Sequence, residues 1–310
     1  MHIVFANRYY SPDNSATSQI VSDLTQDLAA NGHQVEVITS RQRYDEPNAR
    51  LAARDQSSGV VVHRVWTTRF GRASLSGRAV DYLSFYLSFF VACLRLLNKE
   101  TILVCCTDPP LLSVPASIAC RLKRARLVNW LHDLYPEVAE ALGVFKAETK
   151  LTNLLRYLRN RSLQQAWRNV VLGEVMATTV QDLGASKDSI RIIHNWSLTQ
   201  TTNPIPPGED IPLRQAWNLQ GQFVVGYSGN LGKAHEIDTL LAAMEQLQEE
   251  PGLRFLMIGG GHHTEHLKIR CRELGISNVQ FKDYQPLSKL DQSLALADVH
   301  LVILRPQLEG

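Results

Sequence analysis

Short apolar runs alternate along the chain with longer segments in which apolar residues recur every three or four positions. HIVFAN opens it as a strand. A helix capped by Ser15 or Thr17 is predicted to run to about Ala30, Gly32 stands where a left-handed terminator is wanted, and QVEVITS is the next strand. Strand, helix and strand within about 30 residues make a βαβ unit and imply a parallel sheet. The alternation continues through the strand VVVHRVW (60–66), a helix over about 78–97, the apolar strand TILVCCTDPP (101–110), the helix VPASIACRLKRA, and RLVNWLHDLYP, a strand running into a loop. SLQQAWRNVVLGEVMATTVQDLG mixes helix and strand signals, and SIRIIHNWS (189–197) closes the series as a short strand.

The pattern then breaks. TQTTNPIPPGEDIP (199–212) holds four prolines and little that is apolar, which reads as a linker. After it come the strand FVVGYSG, a helix to Glu250, the strand LRFLMIGGG, a helix to Leu274, the strand VQFKDYQP, a helical SKLDQSLALAD and the strand VHLVILRP. The predicted fold class is α/β, with two Rossmann-like domains in series over 1–198 and 213–310, joined by the linker 199–212.

Composition narrows the function. A net charge of +2 over 310 residues is no nucleic-acid polycation, so no nucleic-acid partner is expected. Five cysteines without a CxxC, set among apolar neighbours, read as buried thiols in a reducing compartment. MHIVFANRYY lacks the basic and long apolar regions of a signal peptide, so a cytoplasmic location is expected. YLSFYLSFFVACL (82–94) is thirteen uncharged residues, short of the roughly 20 that span a bilayer, and reads as a buried or membrane-surface helix. Between Lys146 and Arg168 six basic residues face Glu148 alone, a net +5 interleaved with leucines, Tyr157 and Trp167. That pattern suits an anionic membrane surface, and equally a solvated helix face.

The chemistry concentrates at strand ends. In GYSGNLGKAHEID (226–238) a strand gives way to Gly229, Asn230, Gly232 and Lys233 ahead of a helix expected near Glu236. Glycines allow close approach, a helix N-terminus offers N–H donors, and lysine adds a cation; together they suit a pyrophosphate. A plain glycine turn with a solvated lysine would give the same residues. Neither the dinucleotide fingerprint nor a Walker loop is present. Gly259, Gly260 and Gly261 end the next strand, where a ribose or base could approach, or where the chain merely turns. His262, His263 and His266 lack a matching cysteine or acidic partner, so no metal site is expected. In NWLHDLYPE (129–137), His132 and Asp133 leave an apolar strand at its carboxyl end, where His132 could bond a ligand or move a proton near neutral pH. NRYYSPDNSATSQ (7–19) is a polar first turn able to line a cleft. No D-x-D occurs, so a sugar transferase built on this chain would work without a carboxylate-held metal.

Two α/β domains, HDLYPE, the IIHNW strand end and GYSGNLGKAHEIDTLL together resemble family 4 glycosyltransferases of the GT-B fold, in the subgroup that builds bacterial exopolysaccharide. The resemblance implies a retaining, metal-independent transfer from a UDP- or GDP-sugar, taken as substrate with no cofactor. The acceptor implied is a saccharide, commonly lipid-linked, met at the inner face of the plasma membrane. It places His132 at the donor sugar, Asn230 and Lys233 on the donor phosphates, and the Gly259–Gly261 turn with Asp283 and Tyr284 near base and ribose. It makes Glu309 the first glutamate of an E-x7-E motif. Many members carry arginine where Asn230 stands. The second glutamate would fall at position 317, beyond Gly310, so the second domain is expected to be incomplete at its C-terminus. A non-catalytic scaffold and a nucleotide-sugar epimerase remain alternatives, although no carboxylate pair for the latter stands out.

Overall fold

The computed structural model describes every residue except 14, 45, 47, 48, 72, 73, 147, 197–210, 309 and 310. Most of the linker and Glu309 therefore lie outside the described residues. The chain divides into two compact units, Met1–Trp196 and Ser197–Glu309.

The first unit is an eight-stranded sheet. In chain order its elements are β1 (His2–Ala6), α1 (Ala16–Ala30), β2 (Gln34–Ser40), β3 (Arg54–Ser57), β4 (Val60–Val65), α2 (Leu75–Leu96), β5 (Thr101–Cys105), α3 (Ser113–Lys123), β6 (Arg126–Trp130), α4 (Glu137–Ala141), α5 (Lys150–Gln165), β7 (Arg168–Val171), α6 (Glu174–Asp182) and β8 (Ile190–Ile192). The strand order is β3-β4-β2-β1-β5-β6-β7-β8, parallel throughout except for β3, which pairs antiparallel with β4. All four residues of β3 are exposed, so no apolar alternation announced this edge strand. Two clusters cover the sheet: Phe85, Phe89 and Cys93 of α2 pack with Ala116, Ala119 and Cys120 of α3, and Val21 packs with Val35, Val37 and Val62. All five cysteines are buried and free.

The helix ends follow from local residues. Past α1, Gly32 takes φ +81°, its N–H bonds Ala29 O, and His33 N–H bonds Leu28 O, which satisfies the last carbonyls. α2 begins at Leu75, earlier than expected, because Ser74 Oγ accepts the Gly77 N–H at 3.0 Å. At 22 residues it is long and apolar enough to cross a membrane by length and composition, and it lies on the sheet by one face while Leu83, Leu87 and Val91 are exposed. The segment of mixed signals resolves into the end of α5, then β7 and α6.

The second unit holds α7 (Pro212–Ala216), β9 (Phe223–Asn230), α8 (Asp238–Gln246), β10 (Leu253–Gly260), α9 (Thr264–Glu273), β11 (Val279–Lys282), α10 (Leu290–Leu294) and β12 (Val299–His300). Its parallel sheet runs β11-β10-β9-β12. The run VHLVILRP yields only a two-residue strand. It lies at the sheet edge beside β9, and beyond Leu301 the chain follows the turn after β9, with Arg305 N–H on Ala234 O at 3.0 Å.

Candidate active site

Parallel sheets present ligand-binding turns at the carboxyl ends of their strands, and each unit has one such turn rich in polar groups. In the first unit β6 ends at Trp130, and Leu131 N–H bonds Val170 O at 2.8 Å, which carries His132 and Asp133 off the sheet edge. The His132 ring lies 4.9 Å from Trp130, which stacks in turn on Trp196 at 5.9 Å. His132 Nε2 and Asp133 Oδ1 are buried without a partner among the described residues. Burial lowers the His132 pKa to about 4. Near neutral pH His132 is therefore a neutral imidazole, able to give one hydrogen bond and accept another, which favours the ligand-bonding role over proton transfer. Burial pushes the Asp133 carboxyl up, against a bond from Thr107.

Nearby in the same unit stands a buried cation that the sequence reading missed. Arg8 follows β1, its Nη2 lies 3.3 Å from Gln42 Oε1 and 4.0 Å from Asp81, and its guanidinium covers the rings of Tyr9 and Tyr82. An arginine two residues past a buried strand, inside the polar first turn, was the available signal. Asp81 also accepts the N–H groups of Phe70 and Gly71, so it fixes a loop as well as a charge. A cavity of about 500 Å³ opens between His2, Gln34, Glu100 and Arg126. It lies at the amino ends of the strands, away from all of these groups.

In the second unit the turns after β9 and β10 are zipped together. Leu231 N–H bonds Gly260 O at 2.7 Å, and His263 N–H bonds Leu231 O at 3.0 Å. Gly259 has φ +120°, and a Cβ there would stand 2.2 Å from Gly229 O; Gly261 has φ +134°, and a Cβ would stand 2.6 Å from Asn230 Oδ1 and Leu231 O. These two glycines are required by contact between the turns themselves. Gly260 lies against Tyr284, an exposed residue whose ring also reaches Gly259. A small cavity of about 10 Å³ lies among Tyr227, Leu231, Met257, Ile258, Phe281 and the glycines at 229, 259 and 260. Asp283 is exposed, and its carbonyl accepts from Gln285.

Lys233 is exposed and has no partner among the described residues, and the N–H groups of Lys233 and Ala234 are likewise free. Gly232 N–H instead turns back to Asn230 O at 2.8 Å. One expectation is corrected here. α8 starts at Asp238, and Glu236 already accepts the Asp238 and Thr239 N–H groups at 2.8 and 2.9 Å. Burial raises the Glu236 pKa, but those bonds outweigh it and hold the carboxylate ionised, so this helix start repels a phosphate. The anion-binding groups are the turn amides and Lys233. Among the described residues no cluster of histidine, cysteine or acidic side chains could hold a metal ion.

The glycosyl transferase 4-like domain family matches residues 15–196, and glycosyl transferases group 1 matches residues 211–310. WbjE of Pseudomonas aeruginosa, named as a glycosyltransferase, is 28% identical over 204 residues, 66% of this chain and 50% of its own length. WcaI of Escherichia coli K12, named as a colanic acid biosynthesis glycosyl transferase, is 22% identical over 98% of this chain and 76% of its own. The chain therefore spans from half to three quarters of the curated relatives it matches. Among solved structures, Anabaena Alr3699/HepE in complex with UDP and glucose superposes with a TM-score of 0.66 at 15% identity, over 97% of this chain and 73% of that one. At that identity the likeness establishes the fold. With family matches running through both units, the chain belongs to the glycosyl transferase 4-like family.

Proposed function

We propose that the protein is a retaining, metal-independent glycosyltransferase that moves a sugar from a UDP- or GDP-linked donor to a lipid-linked saccharide in cell-surface polysaccharide synthesis. The turn after β9 carries the reading: an exposed lysine and two amides without a partner among the described residues stand on a turn tied to a triple-glycine turn, with the exposed Tyr284 beside it. A nucleoside diphosphate needs that set, an aromatic surface for the base and fixed donors for the phosphates. The solved relative that holds UDP and glucose, and the relative named for colanic acid synthesis, support the same substrate class.

The mechanism is electrostatic. As the bond from the anomeric carbon to the donor phosphate lengthens, negative charge grows on the leaving diphosphate. Lys233 and the turn amides stabilise that charge without a bound cation. His132, neutral and half-buried, makes a hydrogen bond to the donor sugar that its apolar surroundings strengthen. Calorimetry with UDP-glucose and GDP-mannose tests the donor, and sugar transfer by His132→Ala tests the role of the histidine. Binding of neither donor would overturn the reading; so would a His132→Ala variant that loses binding and transfer equally.

Membrane docking belongs to the same proposal, on part of the basic segment and the apolar stretch that the sequence singles out. Arg156 pairs with Glu137 and Glu140, and Arg159, buried, pairs with Glu137 at 2.8 Å, so neither is available to lipid. Three neighbouring helices carry exposed apolar residues instead: Leu83, Leu87 and Val91 on α2, Ile118 and Leu122 on α3, Leu151, Leu154 and Tyr157 on α5, with Lys150 and Arg161 exposed beside them. Co-sedimentation with anionic vesicles should fall on Leu83→Gln/Leu87→Gln and on Lys150→Glu/Arg161→Glu. Unchanged sedimentation of both would remove this surface.

A further inference from the structure

Beneath the turn after β9 lies a hydrogen-bond chain that none of the roles above uses. Tyr227 Oη is 3.1 Å from Asn230 O and 3.1 Å from His235 Nε2, while His235 Nδ1 is 3.1 Å from Gly232 O. The protons available to these contacts can be counted. A carbonyl only accepts, so Nδ1 must carry a hydrogen in either charge state of the ring. A neutral His235 then has a bare Nε2, and the single Tyr227 hydroxyl hydrogen must serve both Nε2 and Asn230 O. One of those contacts is left with two acceptors facing each other. A protonated His235 donates from Nε2 to Tyr227 Oη, Tyr227 donates to Asn230 O, and all three contacts are satisfied. Burial keeps the Tyr227 phenol protonated, as this arrangement needs.

We propose that His235 is a positioning residue whose protonation is coupled to binding of the donor diphosphate at the Gly229–Lys233 turn. This rests on the reading of that turn as the phosphate site. The imidazolium holds Gly232 O directly and Asn230 O through the Tyr227 hydroxyl, which fixes the turn whose Lys233 and Ala234 amides have no partner among the described residues. The charged groups around it are Lys233, two positions earlier; Arg305, whose Nε lies 3.4 Å from His235 O; His263, which feels both His235 and Arg305; and Glu236, taken up with the start of α8. Lys233 and Arg305 are cations and oppose a further positive charge in the empty protein, whereas burial holds the His263 pKa below its ordinary value. A bound diphosphate cancels that opposition, so ligand and proton bind together.

UDP-glucose is the right probe, because its diphosphate has no proton to lose or gain near neutrality, unlike free UDP. Titration calorimetry of the full chain in buffers of different ionisation enthalpy should show uptake of up to about one proton per UDP-glucose, with Kd tightening by up to about tenfold per pH unit between pH 8 and 6. His235→Asn keeps a donor toward Gly232 O but cannot ionise; it should bind with neither proton uptake nor pH slope. Tyr227→Phe, which breaks the chain one atom further on, should lose most of the slope, with thermal unfolding confirming that each variant is folded. A pH-independent wild-type Kd, or a slope that survives in His235→Asn, would overturn the proposal and leave the phosphate reading standing. No binding at either pH would overturn both.

Discussion

The two polar turns do opposite things with the same architecture. After β6 the chain half-buries its functional side chains: His132 and Asp133 each hold one buried polar atom without a partner among the described residues, beside stacked tryptophans. After β9 it buries nothing charged and instead stiffens the backbone, tying one turn to the next and leaving Lys233 in solvent. A half-buried neutral imidazole is suited to a short directional bond in a dry pocket. A rigid turn with free amides and a mobile cation is suited to a highly charged group that arrives with its own counterions. Burial tunes the first site, and backbone geometry the second.

The sharpest break of this contrast is at the backbone. Gly259→Ala places a Cβ against Gly229 O at a φ that alanine rarely adopts, so the second unit should lose at least about 3 kcal/mol or fail to fold. Gly275→Ala, with φ +68° and open space around it, should cost only about 1 kcal/mol. Thermal unfolding of the pair reads the difference, and equal losses would mean that the zipped turns do not constrain the chain.

The next largest effect is in the first unit and depends on pH. His132 has a folded pKa of about 4 against an ordinary 6.5, so the folded state binds fewer protons in that interval. Stability should therefore fall as pH drops from 6.5 towards 4, by on the order of 3 kcal/mol for this group. His132→Gln cannot take up the proton and should lack that loss. Asp133, shifted up by burial, has the opposite sign, so the comparison of variant with parent, by denaturant unfolding across pH, isolates the histidine.

Lys233→Ala should weaken UDP-glucose binding by about 1.5–3 kcal/mol, the range of a charge-assisted contact, without changing the unfolding temperature. Undiminished affinity by calorimetry would take the lysine off the phosphate. The smallest effect is at Glu236. Removing its carboxylate as Glu236→Ala should cost about 1 kcal/mol of stability through the uncapped Asp238 and Thr239 amides, and should slightly improve diphosphate affinity by removing a negative charge. Poorer affinity would show that the helix start serves the ligand after all.

Much of the fold was legible because its signals are local. Apolar runs of strand length, helical spacing between them and glycine at position 32 identify the alternation and the parallel sheets, and the proline-rich stretch marks a joint. The glycines at 229, 232 and 259–261 and the lysine at 233 drew attention to two strand ends whose turns the structure ties together. What escaped was nonlocal. The edge strand β3 is polar along its whole length, and the chain after β12 leaves the sheet although its residues read as a strand.

By itself the sequence determined the α/β class, the two units and the turns where chemistry gathers, because periodicity and backbone permissiveness are properties of neighbours along the chain. Tertiary structure alone decided the state of each group. It made His132 neutral, because burial penalises charge. It assigned Arg156 and Arg159 to Glu137 and Glu140, because a cation's availability depends on which carboxylates the fold brings near. It required Gly259 and Gly261 for contact with Gly229, Asn230 and Leu231, some 30 residues away in sequence, because two turns of adjacent parallel strands share one narrow edge.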